Sequence, residues 1–426
     1  MSALLTVFGY AIVVVMLFLS FFWLFIYLDL GQKKRIEPRL KHYPTLAILI
    51  PAIYEGKLLK RSVESASRID YPSSSYRIYV ALNKSSTRET IETAKSLRGD
   101  NVYVVMCPMD GKSKVMNYVL RSRIREKLLL VLDADTVIAK DLPRKLAFYF
   151  GRKKVGCALA AVKVAAPKTI AEKVQKYEYL ISILSRKALS YLNSLMLANG
   201  AGTMFRTSVV KKLGYFDEKD NPTEDLEIGL RILTSGYDIE MSPTAYSYTV
   251  VPPTFRSLFE QRKRWFSGFF YNIGKYRKEL LTKENRGLGL FIVPLMLLST
   301  FIGIAVLVSL SYNLFYPIAL WAANESALLA NTSINYFLST QLTVQPGFFL
   351  FSLSLGDIVT IMATIIGLSS IAYSVKYADD DESTAKDTAG IFMFLFFYLF
   401  FLSFIWLYAA IAYAVYRKGF SWRVNT

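Results

Sequence analysis

Two pairs of carboxylates and one arginine–tryptophan cluster mark where this chain can do chemistry. Asp133-Ala134-Asp135 closes an apolar run over 128–132. Two carboxylates at the end of a buried strand can hold a hard divalent cation through oxygen ligands, and such an ion bridges diphosphate oxygens. Pro222-Thr223-Glu224-Asp225 opens a helical pattern over 226–233, and Gln261-Arg262-Lys263-Arg264-Trp265 follows it. Arg264 can pair with phosphate oxygens, and the Trp265 indole can stack on a sugar ring. Each feature also has a purely structural reading. Aspartate often ends strands, acidic residues at a helix N-terminus favour the macrodipole, and a tryptophan among basic residues suits a membrane interface. The single histidine, His42, excludes a His-rich metal site and leaves the carboxylates to supply any general base.

The elements that must position these groups show in the hydrophobic pattern. Between about 43 and 250, β-rich runs cover 45–52, 77–82, 102–107, 128–132 and 158–164, separated by helical patterns such as 57–68 and 87–97. This alternation predicts an α/β fold with a mostly parallel sheet and helices on both faces. Ligands of such sheets bind beyond the carboxyl ends of the strands, where Pro51, Asn83, Pro108 and Asp133 fall. Over 169–196, apolar residues recur at spacings of four and three, from Ile170 and Val174 to Tyr191 and Leu195. That is an amphipathic helix, packed either on the domain's own sheet or in a bilayer interface. A second stretch, 254–282, mixes Phe255, Phe259, Phe266 and Phe270 with basic residues and reads as interfacial.

Composition adds a membrane. Of the 426 residues, 53% are hydrophobic, concentrated in runs over 3–28, 288–312, 348–375 and 389–416. Each exceeds the roughly 20 residues that cross a bilayer core. The first lacks a basic n-region and a small-residue cleavage site, so it reads as an anchor. The net charge of +18 gathers beside these runs, at Lys33, Lys34, Arg35, Arg39 and Lys41 and again between Arg256 and Lys283. Such flanks mark the cytoplasmic side and favour anionic headgroups, so membrane lipids, and no nucleic acid, are the expected partners. Cys107 and Cys157 fall in the segment so assigned to the cytoplasm, and no disulfide framework is implied. Three C-terminal spans would leave the basic tail outside; a further broken crossing within 313–347 would bring it in. Two acceptor sequons, at Asn324 and Asn331, fit an outside loop.

In this order the two acid pairs and the Q-x-x-R-W cluster resemble the membrane-integrated family 2 glycosyltransferases, which include cellulose, chitin and hyaluronan synthases and ceramide glucosyltransferase. The resemblance covers about 43–270. It implies a GT-A type nucleotide-sugar-binding domain in which Asp133 and Asp135 hold Mg2+ or Mn2+ and Asp225 is the general base. One carboxylate base with no nucleophile motif makes a single inverting displacement the simplest mechanism. Pro51, Ala52 and Glu55 resemble the family's first strand end. Lys112, in Gly111-Lys112-Ser113-Lys114-Val115-Met116-Asn117, resembles a lysine that meets the diphosphate. Gln261 and Arg264 complete the donor set. Gly200 and Gly202, followed by Arg206, resemble a small-residue turn near the acceptor, where Glu224 and Trp265 also belong. Asn83 departs from the pattern: it stands where the family carries the aspartate that recognises the base.

The expected organisation is an N-terminal transmembrane helix over 1–30, a cytoplasmic GT-A domain over 43–253, interfacial helices with Q-x-x-R-W over 254–286 and a C-terminal transmembrane region over 287–426. The expected function is transfer of a hexose or N-acetylhexosamine from a UDP-sugar to a growing β-linked polysaccharide, at the cell membrane. Single transfer to a lipid acceptor shares the same motifs. A transporter with a nucleotide-binding regulatory domain is the remote alternative. It fits the apolar runs poorly, because transport pathways carry intramembrane charge and Asp357 is the main such residue here.

Overall fold

The computed structural model describes residues 2–32, 40, 42–219, 221–298, 301, 355–378 and 388–415. Eight strands, β1 (Leu46–Ala52), β2 (Tyr76–Leu82), β3 (Val102–Met106), β4 (Leu128–Leu132), β5 (Val137–Ile138), β6 (Val155–Val164), β7 (Ala201–Arg206) and β8 (Asp238–Thr249), form one sheet in the order β3-β2-β1-β4-β7-β6-β8-β5. The helices are α1 (Ser2–Gln32), α2 (Lys57–Ser67), α3 (Arg88–Ser96), α4 (Lys112–Ser122), α5 (Leu142–Ala147), α6 (Ile170–Tyr191), α7 (Thr207–Lys212), α8 (Glu224–Thr234), α9 (Phe255–Lys275), α10 (Arg277–Leu280), α11 (Leu355–Ala378), α12 (Thr388–Met393) and α13 (Leu399–Val415).

The sheet is mixed but mostly parallel, as expected: β1, β2, β3, β4, β6 and β8 share one direction, and only β5 and β7 run against it. β3, β2, β1 and β4 run parallel, as the alternating pattern requires. β7 then inserts antiparallel to both β4 and β6, and β5 pairs antiparallel with β8. β1 is buried at all seven positions, as befits an apolar central strand covered on both faces. On one face Leu46, Ile48 and Ile50 pack with Leu59, Val63 and Ala66 of α2 and with Leu142 and Leu146 of α5. Each such side chain, fully buried, contributes about 1.5–3 kcal/mol.

α6 begins with a capping box between Thr169 and Glu172. It stops at Tyr191, five residues short of the expected end, because Asn193 takes a left-handed φ of 50° and turns the chain out of the helix. The helix packs on β6 and β8, while its Val174 and Tyr177 join Leu258, Phe394 and Tyr398 in a second apolar cluster. Packing, not exposure, therefore accounts for most of its stripe; the end residues Ile170 and Tyr191 stay exposed. α9 lies along α13 through aromatic contacts, with Trp406 stacked on Phe266 at 4.3 Å and edge-on to Phe269 and Phe270.

The chain divides into two compact units, Met1–Asp29 with Leu295–Tyr373 and Leu30–Pro294 with Ser374–Thr426. In the first, Leu19 and Leu295 pack with Val15 and Phe22. Three of the four apolar runs coincide with α1, with α11 and with α12–α13, the last pair joined by a π-helical turn, Phe394–Tyr398. Among the residues whose side chains are described, no helix is long and apolar enough to cross a membrane. The crossing expected within 313–347, the two sequons and the basic tail lie outside the described residues.

Candidate active site

A cavity of about 1110 Å³ opens beyond the carboxyl ends of β1, β2 and β4. Strand ends supply Pro51, Ala52, Asn83, Asp133 and Asp135; the start of α8 supplies Glu224 and Asp225; α9 supplies Gln261, Arg264 and Trp265. Lys112, the first residue of α4, ties two of these groups together. Its Nζ donates to Asp133 Oδ1 at 2.7 Å and lies 2.9 Å from Glu224 Oε1. Burial alone would depress the Lys112 ammonium, but the Asp133 and Glu224 carboxylates hold it well above its usual range. Burial would likewise raise Glu224, and Lys112 reverses that and holds it down. Asp225 forms no such ion pair among the described residues, and the pull of Lys112 and Arg264 on it is outweighed. Burial first, and the Glu224 charge second, push its carboxyl up to about 6.

The Asp-x-Asp turn is shaped by backbone. The Asp133 N–H donates to Gly200 O at 3.0 Å, and a Cβ on Gly200 would lie 2.6 Å from Asp133 Oδ2. Only glycine leaves the carboxylate its place. Asp135 is pushed up to about 6 by burial and then by Asp133, and it accepts weak hydrogen bonds from Thr136 and Thr249 at 3.4 Å. Two crowded carboxylates, with no cage of three or more acidic, His or Cys ligands among the described residues, could hold a hard cation only if further oxygen ligands came from outside the chain.

α9 grips the acidic loop from the other side. Arg264 Nη1 donates to Pro222 O at 2.8 Å. Asn272, fully buried, donates from Nδ2 to Thr223 Oγ1 at 3.0 Å and to Gly268 O at 3.0 Å. Gly268 faces Thr223 so closely that any Cβ would overlap its hydroxyl. Arg186 and Tyr179 of α6 also line the cavity. Neither they nor Asn272 stand out in the sequence; only the continuation of Q-x-x-R-W by Gly268 and Asn272, at spacings of three and four along one helix face, could have singled out the last.

Several of the residues singled out in the sequence also make contacts within the chain. Glu55 lines the cavity, yet its Oε2 turns back to accept the N–H groups of Ile53 and Tyr54 at 2.6 and 2.9 Å. Gly202 does not line it. With φ of 112° it is the residue skipped where the β4–β7 register jumps from Val131↔Thr203 to Leu132↔Ala201. This bulge bends β7 and aims Gly200 at Asp133. Arg206 spends its guanidinium on the carbonyls of Phe150, Arg152 and Val155. Asn117 braces α4 against Phe216 and Glu218. Asn83 does reach the cavity; its Oδ1 lies 2.9 Å from Ser86 Oγ.

Residues 44–268, just over half of the chain, match the sequence profile of Glycosyltransferase like family 2. The chain belongs to this family. It is 26% identical over 228 residues to the poly-beta-1,6-N-acetyl-D-glucosamine synthase of Staphylococcus epidermidis, covering 52% of this chain and 54% of that protein. To the synthase of the same name from Staphylococcus aureus strain COL it is 25% identical over the same shares. The chain thus spans about half the length of the curated relatives it matches. In three dimensions it aligns with the mannosyltransferase PcManGT from Pyrobaculum calidifontis, solved with GDP-Man and Mn2+. The TM-score is 0.53 over 88% of this chain and 97% of that one, at 16% identity. A likeness at that identity is one of fold, and the fold of this glycosyltransferase is GT-A-like with a mixed sheet.

Proposed function

We propose that the chain is an inverting, membrane-integrated transferase that moves a hexose or N-acetylhexosamine from a UDP-sugar to a growing β-linked polysaccharide. The observation that carries this reading is the convergence of Asp133, Lys112, Glu224, Asp225, Arg264 and Trp265, from four separate elements, on one cavity. Asp225 Oδ1 accepts the Leu226 N–H at 2.8 Å, which leaves the other oxygen to take a proton. An acceptor hydroxyl attacks the anomeric carbon, its proton passes to Asp225, and the bond to the nucleoside diphosphate breaks on the opposite face. Asp133 and Asp135 are the residues that would hold Mg2+ or Mn2+, which neutralises charge on the departing diphosphate. Lys112 supplies a second positive charge on the same side. Trp265 offers the acceptor sugar a stacking face, and Gly200 lets it approach the backbone.

The names of the staphylococcal relatives favour an N-acetylhexosamine donor and a polysaccharide product. The four long apolar runs with their basic flanks support a multi-pass protein of the cell membrane. In this arrangement 43–253 is cytoplasmic, 254–286 interfacial, and 1–30 and 287–426 membrane-spanning. Incubating the purified chain with each UDP-sugar and Mg2+ or Mn2+, then sizing the product, tests the proposal. A long, β-linked polymer is expected. A lipid carrying one sugar would replace the polysaccharide by a glycolipid, and no transfer from any nucleotide sugar would remove the enzymatic reading altogether.

A further inference from the structure

Arg262, the unassigned arginine of the Gln261–Trp265 cluster, is the largest fully buried side chain among the described residues. Its guanidinium is held on three sides. Nη2 donates to Glu178 Oε2 of α6 at 2.7 Å, Nη1 donates to Gln261 Oε1 at 2.6 Å, and the group sits 4.0 Å from the centre of the Trp265 ring. Nε has no hydrogen-bond partner among the described residues. Glu178 is itself shared: its Oε2 also accepts the hydroxyl of Tyr398. Tyr398 is 1% exposed and ends the π-helical turn between α12 and α13. Such turns shift the face a helix presents by one residue and cluster at functional sites.

A buried ion pair contributes little net stability, because desolvation offsets the attraction. What this one does is geometric. Gln261 and Trp265 line the cavity, whereas Arg262, Glu178 and Tyr398 do not. We infer that Arg262 is a positioning residue through which Tyr398 and Glu178 set the Trp265 ring, so that the C-terminal apolar helices fix the acceptor wall of the site. Because arginine can only donate, Gln261 must give it the carbonyl and turn its amide hydrogens elsewhere. The inference rests on the reading of Trp265 as the acceptor platform.

Two conservative variants test it, Tyr398→Phe and Glu178→Gln, alongside Trp265→Ala and the double variant Tyr398→Phe/Trp265→Ala. Loss of one buried hydrogen bond to a charged group predicts a fall in transfer kcat of about ten-fold. Calorimetric affinity for UDP should stay within about two-fold. Backbone amides of 255–268 should exchange faster, with those of β1 and β4 unchanged. The double variant should be no slower than Trp265→Ala alone, since contacts that act through one another are not additive. Multiplied losses in the double variant, unchanged exchange over 255–268, or a fall in UDP affinity that matches the fall in transfer would each overturn the inference. Should the wild-type chain transfer no sugar, the functional reading fails, and the exchange measurement still decides whether Tyr398 holds α9.

Discussion

Asp225 is where proton chemistry and electrostatics meet. Asp225→Asn keeps the shape and the bond to the Leu226 N–H but removes the base. Transfer should fall by about 10²–10⁴-fold, the usual worth of general base catalysis, with UDP-sugar affinity nearly unchanged; comparable turnover would rule the mechanism out. The pH dependence follows from the same group. In the proposed mechanism the active form is the carboxylate, and its pKa is raised to about 6, so the rate should climb as pH rises through about 6 and level off above. The sign for stability is opposite. Between 3.8 and about 6 the folded chain holds this proton more tightly than the unfolded one, so this group's contribution to stability is lost as pH rises through that window. A pH–rate profile of the wild type, set against that of Asp225→Asn, checks the first statement.

Asn83 carries a second prediction at this scale. A neutral amide reads uracil less selectively than a carboxylate, and a mispaired buried hydrogen bond costs about 1–3 kcal/mol. Asn83→Asp should therefore tighten UDP relative to GDP by roughly ten-fold or more. Calorimetry that finds the ratio flat would show that this side chain does not face the base. The residues readable from sequence were those whose neighbours in the chain define them, such as the two acid pairs. Arg262 could not be read this way, because its partner Glu178 lies 84 positions away, and Tyr398 lies 220 positions from Glu178.

Among the elements, α9 is the one that organises the site. Through Arg264, Gly268 and Asn272 it holds the loop carrying Glu224 and Asp225. Gly268→Ala would force a methyl group onto Thr223, and overpacking of this kind costs about 1–3 kcal/mol. The variant should melt at lower temperature and lose transfer more than UDP binding, because the displaced loop carries the base. A melt and a transfer rate equal to those of the wild type would show that the close approach is dispensable. The bounds of α2 and α3 were legible to within a residue, since apolar spacing and the Thr87 cap define them locally. β7 was not, because its opening Ala201-Gly202-Thr203 lacks the β-branched, alternating pattern of a strand, and β5 spans only two residues. Both are strands by virtue of their neighbours.

For the molecule as a whole, the order of motifs conveyed the family, while the path of the chain through 313–347 was open in the sequence. The two cysteines bear on it. Cys107 and Cys157 are free and buried, so a cysteine introduced at Thr426 would meet little background from them. The basic residues Arg417, Lys418 and Arg423 favour the cytoplasmic side. An impermeant maleimide added to intact cells should therefore leave Thr426→Cys unlabelled; labelling would mean that the chain crosses three times after 287 and that the tail lies outside.

The Lys112 bridge makes the site behave as an ion exchanger. One ammonium already offsets part of the charge of two carboxylates, so an entering diphosphate would gain this lysine only as Asp133 and Glu224 release it. One set of charged contacts is traded for another, and few counter-ions are freed. Donor affinity should accordingly weaken less with added salt than the phosphate charges alone would suggest. Lys112→Met would leave Asp133 and Glu224 as a bare anionic pair that would repel the proposed diphosphate donor.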